Sequence, residues 1–340
     1  MTARPDISGP ALASLRFGGG SRFGWAWHIL PWGVALATYF LAGAYLTLGT
    51  AALEMILFTL SIDLALGYAG IITFGQAAFF GVGAYAAGLL SIHLTPDPIL
   101  GLLFGTAIGA LLGLVTGALI LHTEGVTLMM LTLAIASMIG AFGEQAGDLT
   151  GGDNGLQGIH ISPLFGLFPF DLWGSTAYLY ALGVLFLWFI AAWRIVRSPF
   201  GRSLDGIRQS PRRMRAIGTP VWWRLVAIYT LAAAMAGSAG ALKAQTNQFV
   251  GLDSLDLLVS GTALVMLILG GTRRLYGAFV GAAFYVVVQN LAAEFDPFRW
   301  MFVIGGLLVV IVMFLDGGLM GLADWLRGAA LRILPGAARK

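Results

Sequence analysis

The chain has no cysteine among its 340 residues. That excludes disulfide frameworks, thiolate nucleophiles and cysteine metal sites. Charge is scarce as well: only 10% of residues are charged while 58% are hydrophobic, against about 25% charged in an average soluble protein. So few charges cannot cover a globule that must hide so much apolar surface, which argues against a soluble enzyme, a nucleic-acid binder and a disordered scaffold. No G-x-x-x-x-G-K-[ST] phosphate loop occurs, so ATP hydrolysis is not expected of this polypeptide. His28, His93, His122 and His160 are scattered, with no i,i+4 pair or carboxylate companion. No metal site and no catalytic centre are therefore expected.

What is present is apolar. Ten spans of about 20 residues would occupy roughly 200 positions, and apolar segments fall near 25–48, 51–66, 70–93, 98–122, 125–147, 175–196, 223–245, 257–271, 275–293 and 298–315. We therefore expect an all-α polytopic membrane protein with about 10 transmembrane helices (range 9–11) and glycine-rich or broken central helices. The 48 glycines suit close helix packing and helix breaks in such a bundle.

Basic residues are distributed unevenly. Arg4, Arg16 and Arg22 are followed by 171 residues without Lys or Arg, and then eight arginines crowd between Arg194 and Arg224. Arg273 and Arg274 form a further pair, and Arg327, Arg332, Arg339 and Lys340 close the sequence. Because basic loops stay on the cytoplasmic side, the pattern predicts a cytoplasmic tail over 1–22 and a membrane domain over 23–316. Within that domain it predicts a cytoplasmic loop over 197–222 and an external loop over 148–174, with a second cytoplasmic tail over 317–340. Both termini are then cytoplasmic. The uncertain region is 51–93: Gly67-Tyr68-Ala69-Gly70 makes a poor water-facing loop and would suit a break inside the membrane.

Three motifs carry the remaining information. The first, Leu66 to Tyr85, has five glycines between Gly67 and Gly83; each costs a helix about 1 kcal/mol relative to alanine. They serve either close packing or an unwound backbone lining a polar cavity. Asp63, Gly67, Tyr68, Gly70, Thr73, Gly75 and Gln76 are the candidates for a translocation path, with Thr73 and Gln76 expected on one helix face. The second motif, Thr150-Gly151-Gly152-Asp153-Asn154-Gly155, demands tight turns with positive φ and on its own reads as an ordinary external loop. The third runs from Ser198 to Pro220. Ser210 reads as an N-cap, Pro211 as the first helical residue and Gly218 as a C-terminal stop. They bound a two-turn helix over 211–217 bearing Arg212, Arg213 and Arg215, with Met214 and Ile217 as apolar contacts. So short a helix needs a docking surface, which is either anionic lipid or a cytoplasmic partner.

The positions of other polar residues carry weaker expectations. Glu54 and Glu124 fall near predicted span ends and read as interfacial. Asp316 marks the end of the last span. Lys243 is expected to snorkel outward, and Trp25, Trp27 and Trp32 fit an interfacial belt. An ion-coupled secondary transporter using Asp63 and Glu124 is the alternative reading of the whole chain.

L-G-Y-A-G-x-x-T-F-G-Q-A-A-F-F-G-x-G-A-Y, T-G-G-D-N-G-L-x-G-I and S-P-F-G-R-x-L-x-x-I-R together resemble the LivM class of permease subunits of branched-chain amino-acid ABC importers. The likeness continues through Ala236–Leu242, Met266–Gly271 and Gly277–Ala282 and covers roughly 50–315. It implies a permease of the bacterial inner membrane, paired with a homologous second permease. It further implies two cytoplasmic ATPase subunits, which use ATP and Mg, and a periplasmic substrate-binding protein; this chain would bind no cofactor itself. The ATPase-coupling region would be Phe200, Gly201, Arg202, Ile207, Arg208, Pro211, Arg212, Arg213, Met214, Arg215, Ile217 and Gly218. The chain departs from many members in having Gln76 for His, Thr73 for Ser, and a basic 211–215 in place of an acidic, alanine-rich stretch. The implied substrates are branched-chain or related amino acids, or amide and organic-acid analogues.

Overall fold

A computed structural model describes residues 23–41, 43–164, 166, 168–170, 174–295, 300–314 and 317–321. The predicted tail over 1–22, most of that over 317–340 and Asp316 lie outside the described residues, as do the side chains of Trp25 and Trp27.

Among the described residues the regular structure is helical, and pairing outside helices is limited to two isolated β-bridges. Each of the ten apolar segments carries a helix. In chain order these include α1 (Phe23–Leu41), α2 (Leu46–Ile62), α3 (Gln76–His93), α4 (Pro98–Ile120) and α5 (Val126–Gln145). A single turn, α6 (Gly147–Thr150), precedes α7 (Ser175–Arg197). The arginine loop folds as α8 (Pro199–Gln209) and α9 (Pro211–Ala216), followed by α10 (Val221–Asn247), α11 (Leu257–Gly270), α12 (Leu275–Phe295) and α13 (Trp300–Phe314).

Among the described residues six stretches are long and apolar enough to cross a membrane: Leu46–Tyr68, Pro98–Ile120, Val126–Gln145, Ser175–Arg197, Val221–Asn247 and Leu275–Phe295. The protein is a polytopic membrane protein. The segment expected over 51–66 starts earlier, at Leu46, and continues through a π-helical turn, Asp63–Tyr68, to a length of 23 residues.

Connections gather at two ends. At the arginine-rich end, Arg215 pairs with Glu124 of the α4–α5 turn at 2.8 Å, Arg273 of the α11–α12 turn pairs with Asp205 of α8, and Gly70 abuts Arg208. At the other end the Leu156 and Val250 backbones bond to each other at 2.7 and 3.2 Å, and the Ser162 N–H donates to the Pro96 carbonyl at 2.8 Å.

The most buried of the spanning stretches is α10, with 78% of its apolar window inside the protein against 22% for α5. It packs on α4 through small residues. Gly101, Gly105, Gly109, Gly113 and Gly117 recur every fourth position on α4 and so form one stripe. A Cβ on Gly109 would lie 3.0 Å from both the Ala233 carbonyl oxygen and the Gly237 Cα. Gly105 likewise meets Ala241 and, on α3, Gly83. Lipid tails are as apolar as leucine, so such bundles gain from close backbone approach rather than from bulky apolar burial. Trp32 of α1 packs instead against α7 and α12: its ring stands edge-on to Phe186, Phe189 and Phe279 at 5.0, 5.5 and 5.3 Å.

Candidate functional site

The chain unwinds between α2 and α3. Gly70 has φ +75°, a left-handed conformation that L side chains rarely adopt. Residues 71–75 then run non-helically, with Ile71, Thr73 and Gly75 buried. Thr73 therefore does not share a helix face with Gln76: it precedes the helix, and its Oγ1 accepts the Gly75 N–H at 3.0 Å. Neighbouring helices supply acceptors for the amides at this helix start. Thr132 Oγ1 of α5 accepts the Phe74 N–H at 3.4 Å, and Ser260 Oγ of α11 accepts the Ala77 N–H at 2.8 Å. Ser260 lies in the first turn of α11, so the N-terminal ends of α3 and α11 meet inside the protein. Helix N-termini carry partial positive charge, and interrupted helices of this kind form polar sites in transporters. Gln76 is fully buried at this point, and among the described residues neither its Nε2 nor its Oε1 has a partner.

One turn before the break, the other predicted path residues form a junction. Asp63 Oδ1 accepts the Arg273 N–H at 2.8 Å, and the Tyr68 hydroxyl donates to the Arg273 carbonyl at 3.1 Å. Arg273 has φ +64°, so two groups of the π-helical turn after α2 hold an unfavourable backbone conformation in the α11–α12 turn. Gly67 leaves room for this, since a Cβ there would overlap Asp63 Oδ1 and stand 3.1 Å from the Arg273 nitrogen. A Cβ on Gly70 would stand 2.6 Å from Arg208 Cγ. The junction thus reaches the arginine loop through Gly70, which abuts Arg208, and through Arg273, which pairs with Asp205. Partial desolvation, and then the charge of Arg273, lower the Arg208 guanidinium below its ordinary value.

The arginine loop contains two capped helices, not one. Ser198 Oγ accepts the Gly201 N–H at 3.3 Å, with Pro199 following, and α8 buries Gly201, Leu204 and Ile207. Phe200 is partly buried against the core, while Arg202 is exposed. Ser210 repeats the device at 3.4 Å to the Arg213 N–H, Pro211 opens α9, and Gly218 stops it at φ +82°. Met214 sits on Gly206 of α8. Ile217, expected as an apolar contact, is instead 73% exposed beside the exposed Arg212, Arg213 and Arg215.

The loop expected to be external is more than a surface turn. Thr150 Oγ1 donates to the Gly143 carbonyl at 2.7 Å and accepts the Gly152 N–H at 3.2 Å. Gly151 and Gly155 have φ +78° and +68°. A Cβ on Gly155 would meet the Phe249 ring and stand 2.8 Å from the Val250 carbonyl oxygen, so the loop is locked onto the α10–α11 connection. Asp153 and Asn154 remain exposed.

Glu124 is in an exposed ion pair with Arg215. Glu54, expected at an interface, is only 3% exposed: because α2 starts at Leu46, position 54 falls two turns inside the helix. Lys243 does not snorkel freely; it reaches Asp253 at 3.5 Å and Ser254 at 3.3 Å. Among the described residues no group of three or more His, Asp or Glu forms a metal site.

A bundle with glycine-packed helices, an interrupted helix and a basic loop at one end suits a membrane permease. The family model of the branched-chain amino acid transport system / permease component matches residues 44–313, and the chain belongs to that family. It is 27% identical over 301 residues to the high-affinity branched-chain amino acid transport system permease protein LivM of Escherichia coli (strain K12), covering 80% of this chain and 69% of the relative. It is 28% identical to the autoinducer 2 import system permease protein LsrC of Enterobacter sp. (strain 638), over 81% of this chain and 75% of that one. It is 25% identical to the fructose import permease protein FrcC of Rhizobium meliloti, over 82% and 75%. No solved structure gives a significant match.

Proposed function

We propose that this chain is one translocation half of an ATP-driven importer of the bacterial inner membrane, moving branched-chain or related amino acids inward by alternating access. In this reading it crosses the membrane ten times with both termini cytoplasmic and pairs with a homologous permease. Two ATPase subunits, using ATP and Mg, dock on the arginine-rich end, and a periplasmic binding protein delivers substrate to the other. The observation that carries the reading is a continuous physical connection. Exposed α9 packs on α8 through Met214 and Gly206, α8 pairs through Asp205 with Arg273, and Arg273 is held by Asp63 and Tyr68 just before the interrupted helix. A movement imposed on α9 therefore has a rigid route to the buried Gln76 region. The family match and the transport names of the relatives support the class.

The decisive experiment is uptake in proteoliposomes with and without the partner ATPases. ATP-dependent uptake is the expected result. Gradient-driven uptake by this chain alone would instead establish the ion-coupled alternative with Asp63 and Glu124.

A further inference from the structure

Thr47, Thr50, Ala51 and Glu54 stand at i, i+3, i+4 and i+7 of α2 and so share one face. They form a wall of a cavity of about 280 Å³ at the end opposite the arginine loop. The last turn of α10, including Thr246, and the start of α7 close its other sides, with Phe170 and Ala177 as apolar surface. This volume lies just below the roughly 300–1,000 Å³ of drug-sized ligand clefts and suits a molecule of amino-acid size.

Glu54 sets the chemistry of this cavity. One of its oxygens accepts the Thr246 hydroxyl at 2.6 Å. Among the described residues no other donor reaches the carboxylate, and no cation lies within ion-pair distance. Lys243, one turn earlier on α10, is turned toward Asp253 and Ser254. Lys243 acts on Glu54 only from a distance, and a buried carboxylate without a contacting counter-ion is costly and is stabilised by an arriving cation. The polar wall and the size of the cavity favour a cation carried on a small organic molecule.

We propose that this cavity binds the ammonium group of an amino-acid-sized ligand, with Glu54 as counter-ion and Thr246 fixing the carboxylate. The proposal rests on the permease reading and deepens it, since a neutral sugar would leave Glu54 unpaired whereas a zwitterion would not.

The absence of cysteine permits a clean test. Thr47 is exposed at the cavity mouth, and Thr47→Cys would be the only thiol in the full chain. In native membranes it should react about tenfold faster with a trimethylammonium methanethiosulfonate than with the sulfonate reagent, relative to a free thiol. Glu54→Gln should abolish the preference and Glu54→Asp should keep it, which separates charge from misfolding. L-leucine and 3-methylbutylamine should slow labelling, while 4-methylpentanoate, which lacks the ammonium, should not. A preference unchanged by Glu54→Gln, or equal protection by 4-methylpentanoate, overturns the proposal. ATP-driven uptake in the assembled importer is measured separately. Its failure, with ammonium protection intact, would refute the permease reading while supporting the site.

Discussion

Gly67→Ala should destabilise the protein, and the cost should disappear when Asp63 is also alanine. The added Cβ would overlap Asp63 Oδ1 and lie 3.0 Å from its Cγ, so the carboxylate must leave the Arg273 N–H it now accepts at 2.8 Å. A hydrogen bond to a charged group contributes about 1.5–3 kcal/mol. Asp63 Oδ2 already lacks a partner, so displacement would leave the whole carboxylate buried and unpaired, adding to that loss. Against this, alanine gains about 1 kcal/mol over glycine in a regular helix. The net expectation is a loss of about 1–2 kcal/mol or more. With alanine at 63 there is no oxygen to displace. The remaining close approach is the Arg273 nitrogen at 3.1 Å, which a shift of a few tenths of an ångström relieves. There Gly67→Ala should be neutral or slightly stabilising. The coupling of about 2 kcal/mol exceeds the 0.3–0.5 kcal/mol scatter of independent sites. Denaturation in mixed micelles, followed by tryptophan fluorescence, measures all four corners of this cycle. An equal cost of Gly67→Ala in both backgrounds would refute the junction.

Three further outcomes are expected. Replacing Arg212, Arg213 and Arg215 together with Glu should abolish ATP-driven uptake while the chain still inserts and folds, because their side chains are exposed; unchanged assembly with the ATPases would count against α9 as the docking helix. Gly105→Val should cost about 1–3 kcal/mol by overpacking, since its Cβ would stand 2.6 Å from the Gly83 carbonyl oxygen, whereas Gly183→Ala, with nothing within 4 Å, should be nearly silent in the same unfolding assay. Gln76→Leu removes two unpartnered buried polar atoms and should stabilise the fold by about 1 kcal/mol or leave it unchanged, yet impair uptake; uptake at the wild-type rate would remove Gln76 from the path.

The sequence was legible where a local rule acts on consecutive residues. Ser210, Pro211 and Gly218 predicted α9 because a cap, a first-turn proline and a left-handed stop each act within a few positions. The same rule was present at Ser198-Pro199, with Leu204 and Ile207 three residues apart, and α8 could have been read from it. Apolar runs located the helices because their length alone nearly defines them. Long-range partners were not legible. Nothing near Asp63 announces that its acceptor role is toward an amide 210 residues away, nor does Thr73 reveal that the helix begins only at Gln76. Glu54 was misplaced for a simpler reason: its helix begins five residues before the apolar run suggested, and a shift of that size moves a side chain from an interface to an interior wall.

The abundance of glycine shows why composition alone underdetermines such a protein. On α4 glycine lets two backbones touch; at Gly67 it leaves space for a carboxylate; at Gly70 and Gly155 it permits left-handed turns beside a close neighbour. An alanine would be opposed by backbone in the first case, by a movable carboxylate in the second and by its own φ in the third. Only the second should be rescued by changing one neighbouring side chain. Rescue by Asp63→Ala at Gly67, with none at Gly105 or Gly70, would therefore separate a junction that can respond to its surroundings from a scaffold that cannot.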